Sequence, residues 1–177
     1  MRLFVALQPS PYFLSALAET QDRLRSAGVE GRYLAPENLH MTLAFIGEWP
    51  EDVTAQLPSV EKPFPLVLSH LGTFPEADVL WAGVQASEEL YALAGKARAM
   101  LAAAGIPFDT KRFTPHITLA RKPSVPKGII LSELAIPAAE MTVNEVCLYR
   151  SERGRNGMAY TVIARSRNEY GEGRSNA

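Results

Sequence analysis

One cysteine, Cys147, stands in 177 residues, so no disulfide can close within the chain. It lies in the apolar run Val146-Cys147-Leu148, where nothing marks it as activated, and reads as a buried structural thiol. The lack of disulfides points to a cytoplasmic protein. Charge of one sign is missing too: 18 basic residues meet 19 acidic ones, for a net charge of −1. No overall basic field draws in long nucleic acid, so an RNA partner would be gripped at its end by a local patch. Long hydrophobic runs are absent. The opening stretch Arg2 to Gln8 is too short for a signal peptide or a membrane span, and no membrane partner is expected. Nor is there a GxxxxGK[ST], GxGxxG or GxSxG phrase, so nucleoside triphosphate, dinucleotide and serine-hydrolase chemistry lose their usual support. Without HExxH, CxxC or a carboxylate beside the candidate site, the sequence calls for no metal and no cofactor.

Histidine is scarce as well, and what there is carries the argument. Two of the three histidines open the same phrase, His40-Met41-Thr42-Leu43-Ala44 and His116-Ile117-Thr118-Leu119-Ala120. Threonine fills 9 of 177 positions, so a given histidine has about a 5% chance of one two residues on. Two such pairs followed by the same Leu-Ala are not accidental. The third histidine, His70, has no such partner and reads as a surface or structural residue.

Patterning predicts a strand over 3–8 and a helix over 10–27 with Ser10 as N-cap and Gly28 as stop. A short extended piece covers 31–34, a strand 39–46 and a weak helix 51–57. Strands follow over 64–71 and 79–86 around a loop from Gly72 to Asp78. The clearest helix is 87–104, with Ser87 as N-cap and a stripe of Leu90, Leu93, Ala94, Ala97, Met100 and Leu101. The second motif strand spans 113–121, and the proline-bearing stretch 122–138 has no clear pattern. Residues 140–150 and 158–166 read as a closing strand pair around the loop Ser151 to Gly157. The reading is one domain over 1–168 with a disordered polar tail at 169–177.

In an ideal strand side chains alternate faces. His40 and Thr42 then share one face, with Met41, Leu43 and Phe45 on the other. His116 and Thr118 pair in the same way, backed by Ile117 and Leu119. Two imidazoles and two hydroxyls around one point suit phosphoryl transfer, which needs a base for the nucleophile, an acid for the leaving oxygen and donors to the remaining oxygens. Arg121 follows His116 by five residues. Ideal parity turns it away from the site, although a bulge could bring it back to bind phosphate. Phe45 holds the matching place in the first copy, where it could stack on a base or pack in the core. Arg32, Lys111, Arg112 and Lys122 could form a basic rim.

With these motifs and their flanks, Pro36 to Gly47 and Phe113 to Arg121, the chain resembles the 2H phosphoesterase superfamily. Within it, the likeness is to the RNA 2′,3′-cyclic phosphodiesterases, also called 2′-5′ RNA ligase-like proteins. The opening strand from Arg2 to Leu7 and the late segment Val143 to Tyr149 are similar too, so the resemblance covers nearly the whole chain. It implies a bilobal α+β fold, with two pseudo-symmetric lobes, antiparallel sheets flanking a central cleft and helices outside. It implies metal-free hydrolysis of a terminal RNA 2′,3′-cyclic phosphate to a 2′-phosphomonoester; separately, a monomer is expected. His40 would be the proton donor, His116 the proton acceptor, and Thr42, Thr118 and Arg121 the phosphate ligands. Joining the cyclic phosphate to a 5′-hydroxyl as a 2′-5′ linkage is the nearest alternative. A nucleotide- or RNA-end-binding module with little turnover is the other.

Overall fold

A computed structural model describes residues 1–166. The expected tail at 169–177 lies outside the described residues. Both helices form where capping and apolar periodicity place them. In α1 (Pro11–Ser26) the Ser10 hydroxyl accepts from the Phe13 amide, and Phe13, Leu17 and Leu24 are buried. In α2 (Glu88–Ala103) Ser87 does the same for Leu90, with Leu90, Leu93, Ala94, Ala97 and Leu101 buried. Each cap satisfies an amide that the first helical turn leaves without a partner.

The strands are β1 (Arg2–Leu7), β2 (Glu30–Tyr33), β3 (Met41–Glu48), β4 (Phe64–Phe74), β5 (Val79–Val84), β6 (Ile117–Ser124), β7 (Glu140–Val143), β8 (Cys147–Gly154) and β9 (Gly157–Arg165). They build two sheets, ordered β3-β1-β8-β9 and β2-β6-β5-β4-β7. Every pairing is antiparallel. The expected two-lobed α+β fold stands. The halves also interlock: α1 packs on β2 and β7 of the second sheet, and α2 on β3 of the first. One buried apolar cluster joins both sheets and both helices, while Phe4, Ala6, Cys147 and Tyr149 form a smaller one on the other face of the first sheet. β1 is therefore buried on both faces, which is why it reads as an unbroken apolar run. Among the described residues no helix is long and apolar enough to cross a membrane.

Four expectations need correction. The 51–57 helix is a single 3-10 turn, Thr54–Gln56, because Leu57, extended ahead of Pro58, ends it. The 72–78 loop shrinks because β4 runs on to Phe74. Gly72 belongs to the strand, where it lies under the Trp81 ring and any Cβ would collide with it. The stretch 140–150 is two strands in different sheets: β7 pairs with β4, and β8 pairs with β1. The loop 151–157 is mostly hairpin, since β8 and β9 stay paired up to Gly154 and Gly157.

Candidate active site

Each histidine sits one residue ahead of its strand, His40 before β3 and His116 before β6. Each imidazole folds back on the chain. His40 Nδ1–H donates to the Asn38 carbonyl at 2.7 Å, and His116 Nδ1–H donates to the Thr114 carbonyl at 2.7 Å. A carbonyl only accepts, so both rings carry their proton on Nδ1, and Nε2 is left as the working nitrogen. Asn38 is itself fixed: its side-chain amide donates to the Met158 carbonyl at 2.9 Å and its Oδ1 accepts from the Tyr160 amide at 3.2 Å. The first histidine is thus tied to β9.

Ideal parity breaks within both motif strands, and in the same place. Along β1 and β3, Ala6 faces Thr42 and Phe4 faces Phe45, with a register shift that leaves Leu43 without its own partner on β1. Along β5 and β6, Trp81 faces Thr118 and Val79 faces Arg121, with a shift at Leu119. The extra residue moves those next beyond it to the opposite face, in β3 as far as a second shift at Ile46. Phe45, which parity places behind the strand, therefore joins Thr42 on the cleft face. Arg121 joins Thr118 by the same device.

The two halves meet in one cleft. A cavity of about 440 Å³ is lined by His40, Thr42, Phe45, Thr118 and Arg121, with Arg2, Arg153 and Tyr160 around them. An adjoining one of about 360 Å³ is lined by His116 and the same Thr42, Phe45, Thr118 and Arg121, with Lys111 and Arg112 at its edge. The four shared residues form the common wall, so every residue that the motifs single out borders one space. Arg121 reaches the Tyr160 hydroxyl at 3.5 Å, and the Arg2 guanidinium lies 5.2 Å from the Phe45 ring centre.

Aromatic rings enclose the histidines. His40 stands against Phe4, Tyr160 and Tyr149 at 4.6, 5.2 and 5.6 Å, and His116 against Phe74 at 4.9 Å and Trp81 at 6.4 Å. Burial disfavours the imidazolium. It pushes His40 down from 6.5 to about 4, with His116 and Arg121 adding repulsion and the Asn38 carbonyl opposing it. His116 is lowered as well, by burial, with the Thr114 carbonyl opposing. Both rings are therefore neutral in the free protein at pH 7.

The basic rim differs in part from the sequence expectation. Lys111 and Arg112 border the His116 side, as anticipated, but neither Arg32 nor Lys122 lines either cavity. Lys122 has φ of 49° and its amide bonds the Asp78 carbonyl, which turns the chain there to a local task. Arg2 and Arg153 take the rim's place on the His40 side, a role the sequence reading missed. Arg2 showed no signal as the first residue of an apolar strand, and Arg153 fell in an assumed loop. His70 packs edge-on against Trp81 at 5.5 Å, behind His116. Cys147 is buried and its thiol pushed up to about 11, as an inert structural thiol should be. No carboxylate lines the His40 cavity. Among the described residues no three His, Cys, Asp or Glu side chains gather as metal ligands would.

Comparison with known proteins bears on the family and the fold. The family model of the 2′-5′ RNA ligase superfamily matches residues 13–155. The chain belongs to this family. A relative from Aquifex aeolicus, an RNA 2′,3′-cyclic phosphodiesterase, is 33% identical over 76% of this chain and 80% of its own. The crystal structure of TT0787 of Thermus thermophilus superposes with a TM-score of 0.74 at 33% identity, covering 93% of this chain and 96% of that one. Escherichia coli LigT complexed with 3′-AMP gives 0.74 at 28% identity, covering 95% of this chain and 97% of LigT.

Proposed function

We propose that the protein hydrolyses a terminal 2′,3′-cyclic phosphate of RNA to a 2′-phosphomonoester. One observation carries the reading: the two imidazoles, each locked with Nδ1 on a carbonyl, border one cleft whose common wall includes two threonines and an arginine. Relatives that are RNA 2′,3′-cyclic phosphodiesterases and a LigT structure holding 3′-AMP support the same substrate class.

In this mechanism His116 Nε2 takes a proton from water, and the hydroxide attacks phosphorus. The P–O3′ bond breaks, and His40, protonated at Nε2, gives its proton to the departing 3′ oxygen. Thr42 and Thr118 donate to the equatorial oxygens without adding charge, and Arg121 supplies the cation. His116 ends as imidazolium and His40 as neutral ring, and exchange with solvent resets both. Phe45 stacks on a base, where the Arg2 guanidinium and the ring together make a sequence-tolerant platform. Both histidines and all three phosphate ligands come from one chain, so one chain carries a complete site, and a monomer is the proposed acting unit.

The test is turnover of an oligonucleotide ending in 2′,3′-cyclic phosphate, with chelator present and with and without a 5′-hydroxyl strand. Hydrolysis that resists chelator and is lost in His40→Ala and His116→Ala is expected. A wild-type protein that binds the RNA end without turnover refutes the enzyme. A joined product in place of hydrolysis makes it a ligase.

A further inference from the structure

Two polar helix side chains hold the cleft in a matched way, Gln21 from outside it and Arg98 from the wall of the His116 side. Gln21 on α1 donates from Nε2 to two carbonyls, Leu34 at 2.9 Å and Leu119 at 3.0 Å. Arg98 on α2 donates from Nε to the Leu43 carbonyl at 3.1 Å and from a terminal nitrogen to the Lys111 carbonyl at 2.7 Å. Leu43 and Leu119 are the bulge residues that come just ahead of Phe45 and Arg121 in their strands.

The match extends along the chain. Both helices are 16 residues long, behind Ser10 and Ser87, and Gln21 and Arg98 each stand eleven residues after that cap. Leu34 and Lys111 likewise share a place, each thirteen residues after its clamping side chain. Each helix therefore grips the run-up to its own half's motif and the bulge of the other half's motif. The halves are cross-braced at the point where strand parity is broken. Gln21 is 2% exposed, a burial that a polar side chain tolerates when its hydrogen bonds are made.

We propose that Gln21 and Arg98 are positioning residues, one for each half of the site. Gln21 fixes the Leu119 bulge that aims Arg121 at the phosphate. Arg98 fixes the Leu43 bulge that aims Phe45 into the cleft. Bulges beside active sites re-aim side chains, and a displacement on the order of 1 Å can cost ~10²-fold in rate. A brace of this kind has a signature that packing lacks: its loss matters only while the residue it aims is present. The inference rests on the cyclic phosphodiesterase reading for its choice of substrate.

Double-mutant cycles on kcat/KM for the cyclic-phosphate oligonucleotide test it, with melting temperature followed in parallel. Gln21→Met is expected to lower kcat/KM about tenfold or more in the wild type and less than about twofold in Arg121→Ala. Arg98→Met is expected to raise KM with kcat held, and to do nothing further in Phe45→Ala. Arg98→Lys keeps the charge without the fork, and is expected not to rescue. Equal losses in both backgrounds, full activity of Gln21→Met, or rescue by Arg98→Lys overturns the proposal. Should Gln21→Met not fold, the half-buried Arg98 pair decides alone. Should the wild type not turn over, the function has failed rather than the brace. The Gln21 cycle is then read on inorganic phosphate binding by calorimetry, with the same pattern expected and additive losses overturning it.

Discussion

Substrate binding should draw a proton into the site, because the free protein holds both histidines neutral. The drop of His40 from 6.5 to about 4 amounts to roughly 3 kcal/mol against its imidazolium. A phosphodiester brings one negative charge. At about 4 Å and an effective dielectric near 20, that charge favours imidazolium by about 4 kcal/mol. The two magnitudes nearly cancel, so the anion returns the acid to its ordinary range and the substrate completes the catalyst. Two assays follow. Calorimetry of a non-hydrolysable cyclic-phosphate analogue in buffers of different ionisation enthalpy should show uptake approaching one proton near pH 6. The kcat/KM profile, which reports the free enzyme, should peak on the acid side of 6.5 and fall with rising pH, while the alkaline limb of kcat lies higher. Binding without proton uptake, together with a kcat/KM limb at or above pH 7, refutes the reasoning.

Stability should follow the same titrations. Lowered folded-state values mean that the unfolded chain binds more protons below 6.5, so stability is complete above that pH and falls between 6.5 and about 4. Thermal melts should show this acid-side loss, and His40→Asn should reduce it; identical slopes in both proteins speak against a buried His40. Single removal of His40 or His116 should cost ~10²–10⁴-fold in kcat, and a substrate whose leaving group needs no proton should restore His40→Ala but not His116→Ala. Equal rescue of both would undo the division into donor and acceptor. Asn38→Ala removes two side-chain bonds to β9, at about 1 kcal/mol each, and should lower the melting temperature along with kcat; unchanged values mean that β9 does not hold His40. Gly72→Ala pushes on the Trp81 ring that neighbours His116. It should destabilise by about 1–3 kcal/mol, and a neutral change in a denaturant melt would mean that the ring has room to move.

Both helices were legible because cap and stripe are local: Ser10 and Ser87 stand where the chain turns helical. The catalytic pairs were legible because the phrase occurs twice. What escaped depended on contacts distant in sequence. A bulge at Leu43 or Leu119 leaves no mark in its own residues; it exists because β1 and β5 set the register opposite. Parity alone therefore put Phe45 and Arg121 on the wrong face. The resemblance assigned Arg121 to the site but could not say how it got there. Gln21 looks like a stray polar residue within the apolar stripe of α1, and its purpose shows only when β6 lies against it. The break at 144–146 escaped because Met141, Val143, Val146 and Leu148 read as one run, and only the partners of β7 and β8, which are β4 and β1, tell the strands apart.

The central claim is that His40 releases the 3′ oxygen while His116 drives water onto phosphorus. Phosphorus NMR of the product from an oligonucleotide ending in 2′,3′-cyclic phosphate tests it most directly. A single 2′-phosphomonoester is expected, formed in chelator by the wild type and at least ~10²-fold more slowly by either histidine-to-alanine variant. A 3′-phosphomonoester, a mixture of both, or the same product from His40→Ala at the wild-type rate would refute it.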